Sequence, residues 1–134
     1  MKKIYLLLFV IALTLSCSTD DENSNPDISI NPPAWLHGTW KAEDAGGTSI
    51  TGFRFTTDDI ILLGLYDMSY RDNTSSIVKS GGEATVEEDI SQESYRITID
   101  YSVGASVNYL FSRVDENTIN WNTTTYGALE LQKQ

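Results

Sequence analysis

In the stretch Glu93–Tyr101, with the sequence ESYRITIDY, apolar and polar residues alternate without a break, which is the clearest indication of the fold. An extended strand points successive side chains to opposite faces, so this pattern gives the stretch one apolar face and one polar face. The apolar face carries Tyr95, Ile97, Ile99 and Tyr101, and the polar face carries Ser94, Arg96, Thr98 and Asp100. This division is typical of an antiparallel strand with one face in a core and the other in water.

The same period of two recurs on both sides of this stretch, between turns rich in glycine, asparagine and aspartate. Strands are predicted at residues 38–45, 48–57, 60–66, 75–80, 83–90, 93–102, 105–114, 117–124 and 126–132. The apolar run 60–66 also fits a short helix, and no amphipathic helix longer than two turns is predicted. Closing the sheet hides its apolar face and its edges. The sequence therefore predicts an all-β fold, a single antiparallel up-and-down β-barrel of eight or nine strands.

The first residues have the pattern of a secretory signal peptide. Two lysines follow Met1, and the apolar run Ile4–Leu15 comes next. As a helix this run would be about 18 Å long, too short for a hydrocarbon core of about 30 Å. The sequence Leu-Thr-Leu-Ser-Cys, ending at Cys17, resembles the lipobox of bacterial lipoproteins. That resemblance implies cleavage after residue 16, acylation of Cys17 and a lipid anchor in the outer membrane; the alternative is a signal peptide cut elsewhere, with a free thiol.

A polar, acidic and proline-containing segment follows the cysteine. Its composition cannot bury enough apolar surface to fold, so residues 17–33 are predicted to form a flexible tether and residues 34–134 the barrel domain. The cluster Asp20-Asp21-Glu22 resembles the acidic signal that sends some lipoproteins of Gram-negative bacteria to the cell surface. An ordinary solvated linker would have the same composition, so both interpretations stay open.

Charge and missing motifs exclude several functions. With 9 basic and 19 acidic residues, the net charge of the chain is −10, which disfavours nucleic-acid binding. The only histidine, His37, is interpreted as a solvated turn residue, and the acidic runs 58–59 and 87–89 as solvated faces. No nucleophile-elbow, phosphate-loop or zinc-protease motif is present. We therefore expect a protein that is not an enzyme and that has no cofactor and no metal site.

The first predicted strand begins with Gly38-Thr39-Trp40, which resembles the Gly-x-Trp signature of lipocalin-like (calycin) barrels. The later stretches GFRFTTDD and YLFSRVDENTINW are similar to the lipocalin-like domains of small bacterial lipoproteins. The resemblance covers most of the chain after Pro33. It implies that Gly38 allows a tight entry and that Trp40 plugs one end of the barrel. An arginine usually crosses this tryptophan, so Lys133 or Arg113 would replace it here; otherwise Trp40 is an ordinary core aromatic.

The predicted interior is rich in tyrosine, although leucine or valine would fill a purely structural core without needing partners for buried hydroxyls. An apolar site with a few polar tips suits a small molecule. We therefore expect a ligand pocket opposite the Trp40 end, lined by Phe53, Tyr95, Tyr101, Tyr109 and Trp121. The alternative is that the hydroxyls of the tyrosines reach solvent at the rim of the barrel. The expected function is a monomeric, membrane-anchored lipoprotein that binds a small, mostly apolar ligand. The alternatives are a surface interaction protein with a self-filled barrel and partner-contacting loops, or a protease-inhibitor-like scaffold.

Overall fold

The computed structural model describes residues 28–43, 49–123 and 127–134 of the chain. These residues form nine β-strands, one α-helix and a short 3-10 turn at Ala34–Leu36. The strands are β1 Gly38–Glu43, β2 Ser49–Phe55, β3 Ile60–Leu63, β4 Met68–Ser69, β5 Ala84–Ile90, β6 Ser94–Tyr101, β7 Ser106–Arg113, β8 Thr118–Thr123 and β9 Gly127–Lys133, and helix α1 is Tyr70–Lys79. The predicted signal peptide, Cys17 and the acidic cluster at residues 20–22 lie outside the described residues.

All nine strands belong to one antiparallel sheet in the order β4-β3-β2-β1-β9-β8-β7-β6-β5. On a flat sheet β2 and β7, four strand spacings apart, would lie about 19 Å from each other. The rings of Phe53 on β2 and Phe111 on β7 are nevertheless only 5.1 Å apart between centroids. The sheet is therefore curled with its apolar face inside, which confirms the predicted all-β, up-and-down, barrel-like fold.

The register of β6 confirms the faces predicted from its alternation. Tyr95, Ile97 and Ile99 are at most 1% exposed, whereas Arg96 and Asp100 are exposed. Each inward residue pairs with another inward residue on β7, as Tyr95 does with Phe111. A shift by one residue would turn all of them toward water, so burial fixes this register.

Helix α1 contradicts the prediction of a strand at residues 75–80 and of no helix longer than two turns. The side chain of Ser69 caps the helix by accepting a hydrogen bond from the Asp72 amide at 3.0 Å. Its core-facing positions are the buried Tyr70 and Thr74 and the half-buried Ile77, spaced by four and three residues. The helix was missed because its remaining residues are polar or β-branched, which gives a weak helical signal. The two-residue strand β4 gave no sequence signal either.

The helix lies between the two edge strands of the sheet. It follows β4, precedes β5, and packs against β3, β4 and β5. Its Tyr70 hydroxyl contacts Tyr109 on β7, and its Thr74 hydroxyl lies 3.0 Å from the Tyr101 hydroxyl on β6. The gap between the edge strands β4 and β5 is thus covered by a helix instead of a further strand, which is one way of protecting sheet edges.

The ordered domain begins earlier than the predicted boundary at residue 34. Ile30 is 1% exposed and belongs to the core, and Ile28 packs against it half-buried. The Asn31 amide donates to a carboxylate oxygen of Glu88 on β5 at 2.8 Å. The tether prediction was therefore wrong for residues 28–33, because two isoleucines separated by one residue suffice to seat the segment on the barrel.

Candidate functional site

One end of the barrel, here called the tryptophan end, is where β1 begins and β9 finishes. Trp40 is fully buried there, and its indole nitrogen donates to the carbonyl oxygen of Leu36 at 2.7 Å. The 3-10 turn Ala34–Leu36 places that carbonyl at the edge of the ring, within reach of the indole N–H. Since Leu36 and Ile30 are also buried, this end is filled by the protein's own side chains.

Lys133 covers the Trp40 ring, with its ammonium 5.1 Å from the ring centroid. The two residues are direct partners in the β1–β9 ladder. Gly38 allows this approach, because a Cβ at that position would lie 3.1 Å from Cε of Lys133 and its φ is +126°. Of the two basic residues considered from the sequence, Lys133 is the one that makes the cation–π contact.

Replacing Lys133 with methionine should lower the free energy of unfolding by about 0.5–1 kcal/mol, because the apolar stem is kept and the cation–π attraction is lost. Lys133→Arg should retain it. Urea denaturation of the two variants beside the wild type measures the difference. An equal loss in both variants would show that the charge above Trp40 contributes nothing.

A cluster of five aromatic rings fills the middle of the barrel, and Phe53 is at its centre. From the Phe53 ring centroid the distances are 5.0 Å to Trp121, 5.1 Å to Phe111, 5.2 Å to Tyr109 and 6.0 Å to Phe55. All but the last pair meet edge to face, an arrangement that aromatic rings favour. Phe53, Phe55 and Phe111 are buried, but Tyr109 and Trp121 are only half-buried.

On four of the strands, burial of the inward residues decreases away from the tryptophan end, whereas on β1, β2 and β6 these residues stay buried, as Ala42, Phe53 and Ile99 do. On β3, β7, β8 and β9, the inward residue nearer that end is fully buried. These residues are Ile60, Phe111, Ile119 and Leu131, respectively. The next inward residues on the same strands are only partly buried. We call these residues the inner face: Leu62, Val107, Tyr109, Trp121 and Leu129. On these four strands the inside of the barrel thus presents a partly accessible apolar and aromatic surface beyond the filled tryptophan end.

Of the five predicted pocket residues, the structure brings three together. Phe53, Tyr109 and Trp121 belong to the aromatic cluster, with the Tyr109 and Trp121 centroids 5.8 Å apart. Tyr95 is fully buried and its hydroxyl donates to Glu88, while the Tyr101 hydroxyl pairs with Thr74. Burial raises the pKa of the Tyr95 phenol well above its usual value, and the hydrogen bond to Glu88 adds to this rise.

Sequence reasoning missed Tyr70, whose side chain is 3% exposed. Its ring lies 5.6 Å from that of Tyr109, and the two hydroxyls are hydrogen-bonded to each other. Burial is the main cause that raises the pKa of both phenols. Tyr70 begins the helix that was predicted as a strand, so no sequence pattern placed it in the barrel.

Two of the acids interpreted as solvated have structural partners instead. Asp59 is 5% exposed, and its carboxylate accepts from the amides of Ile60 at 2.8 Å and Arg71 at 2.9 Å and from the Ser69 hydroxyl at 2.6 Å. Glu88 points inward and accepts from Tyr95 and from Asn31. Its inward orientation follows from the alternation of ATVEEDI, where it shares a face with Ala84 and Val86.

His37 is also tied into the structure, because its Nε2 lies 2.9 Å from the carbonyl oxygen of Pro32 and the residue is half-buried. His37 is thus a turn residue, as interpreted from the sequence, but it is half-buried and not fully solvated. Within residues 28–43, 49–123 and 127–134, no three side chains of the metal-ligating types are grouped around one point.

Three strongly exposed apolar side chains lie in turns at the end opposite the tryptophan end. The β3–β4 hairpin exposes Leu65 and Tyr66 by 92% and 87%, and the β6–β7 turn exposes Val103 by 80%. We call these three residues the outer rim. Exposed apolar side chains mark a contact site for another molecule where they form one contiguous patch.

The described part of the chain contains no helix that is long and apolar enough to span a membrane. Comparisons with known proteins add no relative: no family model, no curated protein and no solved structure matches this chain. The site geometry is therefore the basis for assigning a function.

Proposed function

We propose that this chain is a lipocalin-like binding protein that holds a small, mostly apolar ligand against the inner face. The observation that supports this is the change from full to partial burial along β3, β7, β8 and β9. An apolar concave surface with a few polar groups is the usual make-up of a small-molecule site. The Lys133–Trp40 contact supports the lipocalin-like resemblance, since it supplies the cation that the signature requires. We propose binding without catalysis, because the two inward or buried acids are already hydrogen-bonded within the protein.

A neutral fluorescent probe, N-phenylnaphthylamine, tests this proposal. Its emission should rise saturably with the wild-type protein, and Trp121→Leu should weaken binding roughly tenfold, a loss of about 1.4 kcal/mol. The matched control is Tyr66→Ser on the outer rim, which should leave the dissociation constant unchanged. No saturable binding, or loss of binding with Tyr66→Ser alone, would reject the inner face as the site.

We further propose that the protein is anchored to the outer membrane by lipid on Cys17. The support is the N-terminal sequence, in which the only cysteine of the chain ends a lipobox-like stretch. One acyl chain gives only marginal binding, so stable anchoring needs at least two. Cys17→Ala should move the protein from the membrane fraction to the soluble fraction or block its maturation. Wild-type protein that is soluble and begins at a residue other than 17 would contradict the anchor.

A second candidate function is a surface protein whose outer rim contacts a partner protein. The exposure of Leu65, Tyr66 and Val103 favours it. The two candidate functions predict different effects of substitutions. Under the second, outer-rim variants would weaken partner binding and inner-face variants would not. No saturable probe binding by the wild-type protein in the experiment above would favour this second candidate over the first.

A further inference from the structure

The Tyr70–Tyr109 hydroxyl pair points to a more specific ligand class. We infer that the inner face selects a neutral apolar molecule carrying one hydrogen-bond acceptor oxygen, such as a ketone or an ester, which this pair binds. This inference rests on the proposed function and goes beyond it, because apolar burial alone would not distinguish a ketone from a hydrocarbon of the same shape.

The two hydroxyls of the pair carry one proton more than their mutual hydrogen bond uses. Each phenol has one O–H, and the hydrogen bond between Tyr70 and Tyr109 uses one of the two. In the part of the chain that the structure describes, neither hydroxyl has another hydrogen-bond partner. One donor is therefore left. A ligand that displaced water from this donor without offering an acceptor would leave it unpaired, at a cost of about 1–3 kcal/mol.

The position of the pair places this donor beside the inner face. The Tyr109 ring lies 5.2 Å from Phe53 and 5.8 Å from Trp121. Tyr109 is half-buried, whereas the neighbouring hydroxyl pair of Thr74 and Tyr101 is buried. A molecule lying on Trp121 and Tyr109 is therefore within reach of the first pair and shielded from the second.

The charges around the pair favour a neutral acceptor over an ionised acid. Burial raises the pKa of both phenols, so they remain protonated donors at neutral pH. Among the described residues, Arg54 pairs with Asp67, Arg71 pairs with Asp58 and Asp72, and Lys133 lies over Trp40. None of these ion-pair or cation–π contacts reaches Tyr70 or Tyr109, so a carboxylate bound beside them would leave water without a counter-charge.

Fluorene and 9-fluorenone test the inference, because they share one rigid shape and differ by a carbonyl. The ratio of their dissociation constants is measured for the wild type and for the double variant Tyr70→Phe/Tyr109→Phe by quenching of tryptophan emission. The double variant should shift this ratio at least threefold against fluorenone, while fluorene affinity stays within about twofold. Fluorene-9-carboxylate should bind the wild type more weakly than fluorene does.

The control is Tyr101→Phe, which removes a hydroxyl from the buried pair and should leave the ratio unchanged. If fluorene binds but the ratio is the same in wild type and double variant, or if Tyr101→Phe changes it instead, the inference is wrong and the proposed function stands. If neither probe binds the folded wild type, the proposed function fails together with it. Phenylalanine conserves the ring volume, and circular dichroism verifies that each variant is folded.

Discussion

Phe53→Ala should lower the free energy of unfolding by about 3–5 kcal/mol, the usual cost of removing a buried phenylalanine ring. Phe53 is 0% exposed and touches four other rings, which come from β2, β7 and β8. Its removal leaves a cavity where the two sides of the curled sheet meet. Because small domains are stable by only about 5–15 kcal/mol, a large fraction of this protein should be unfolded at modest urea concentrations.

The matched control is Arg54→Ala, one residue further along the same strand. Arg54 is exposed and its guanidinium pairs with Asp67 at 2.8 Å on the surface, so its loss should cost at most about 1 kcal/mol. Urea unfolding followed by tryptophan emission compares the two variants. Similar losses at positions 53 and 54 would show that β2 does not have one buried and one wet face.

Asp59→Ala should destabilise the protein by about 2–4 kcal/mol, because it leaves three donors without their acceptor. The carboxylate joins the β2–β3 turn, through the Ile60 amide, to the start of α1, through the Ser69 hydroxyl and the Arg71 amide. We expect the helix to loosen before the sheet does. Faster amide hydrogen exchange in α1 than in β6 would measure that order.

Asp58→Ala is the control for Asp59, since the adjacent carboxylate makes an exposed ion pair with Arg71. That pair should contribute at most about 1 kcal/mol. If both variants lose the same stability, the buried carboxylate is not the link between the turn and the helix.

Strands β2, β6, β7, β8 and β9 could be predicted from the sequence because each shows its buried face as a period of two. The register of β6, with Tyr95 inside and Arg96 outside, follows from that pattern alone. Helix α1 could not be predicted, since its core contact is limited to Tyr70, Thr74 and Ile77 among polar neighbours. Its position depends on a gap between β4 and β5 that exists only once the sheet has curled.

The candidate site was predictable in its aromatic residues and not in their partners. Alternation places Phe53, Tyr109 and Trp121 inside, and the structure groups them. The hydroxyl partners of Tyr95 and Tyr101 come from β5 and α1, so only the tertiary structure shows that these two phenols are already satisfied. Likewise, the ladder pairing of β1 with β9 is what selects Lys133 over Arg113.

The indole N–H signals of the chain's three tryptophans test the central claim most directly. Two of these groups are engaged away from the inner face, Trp35 with the Ser91 carbonyl at 2.9 Å and Trp40 with that of Leu36 at 2.7 Å. Trp121 lies on the inner face. In a heteronuclear NMR titration of isotope-labelled protein with 9-fluorenone, the Trp121 signal should shift saturably while those of Trp35 and Trp40 stay in place. No saturable shift of Trp121, or equal shifts of all three, would contradict a ligand site on the inner face.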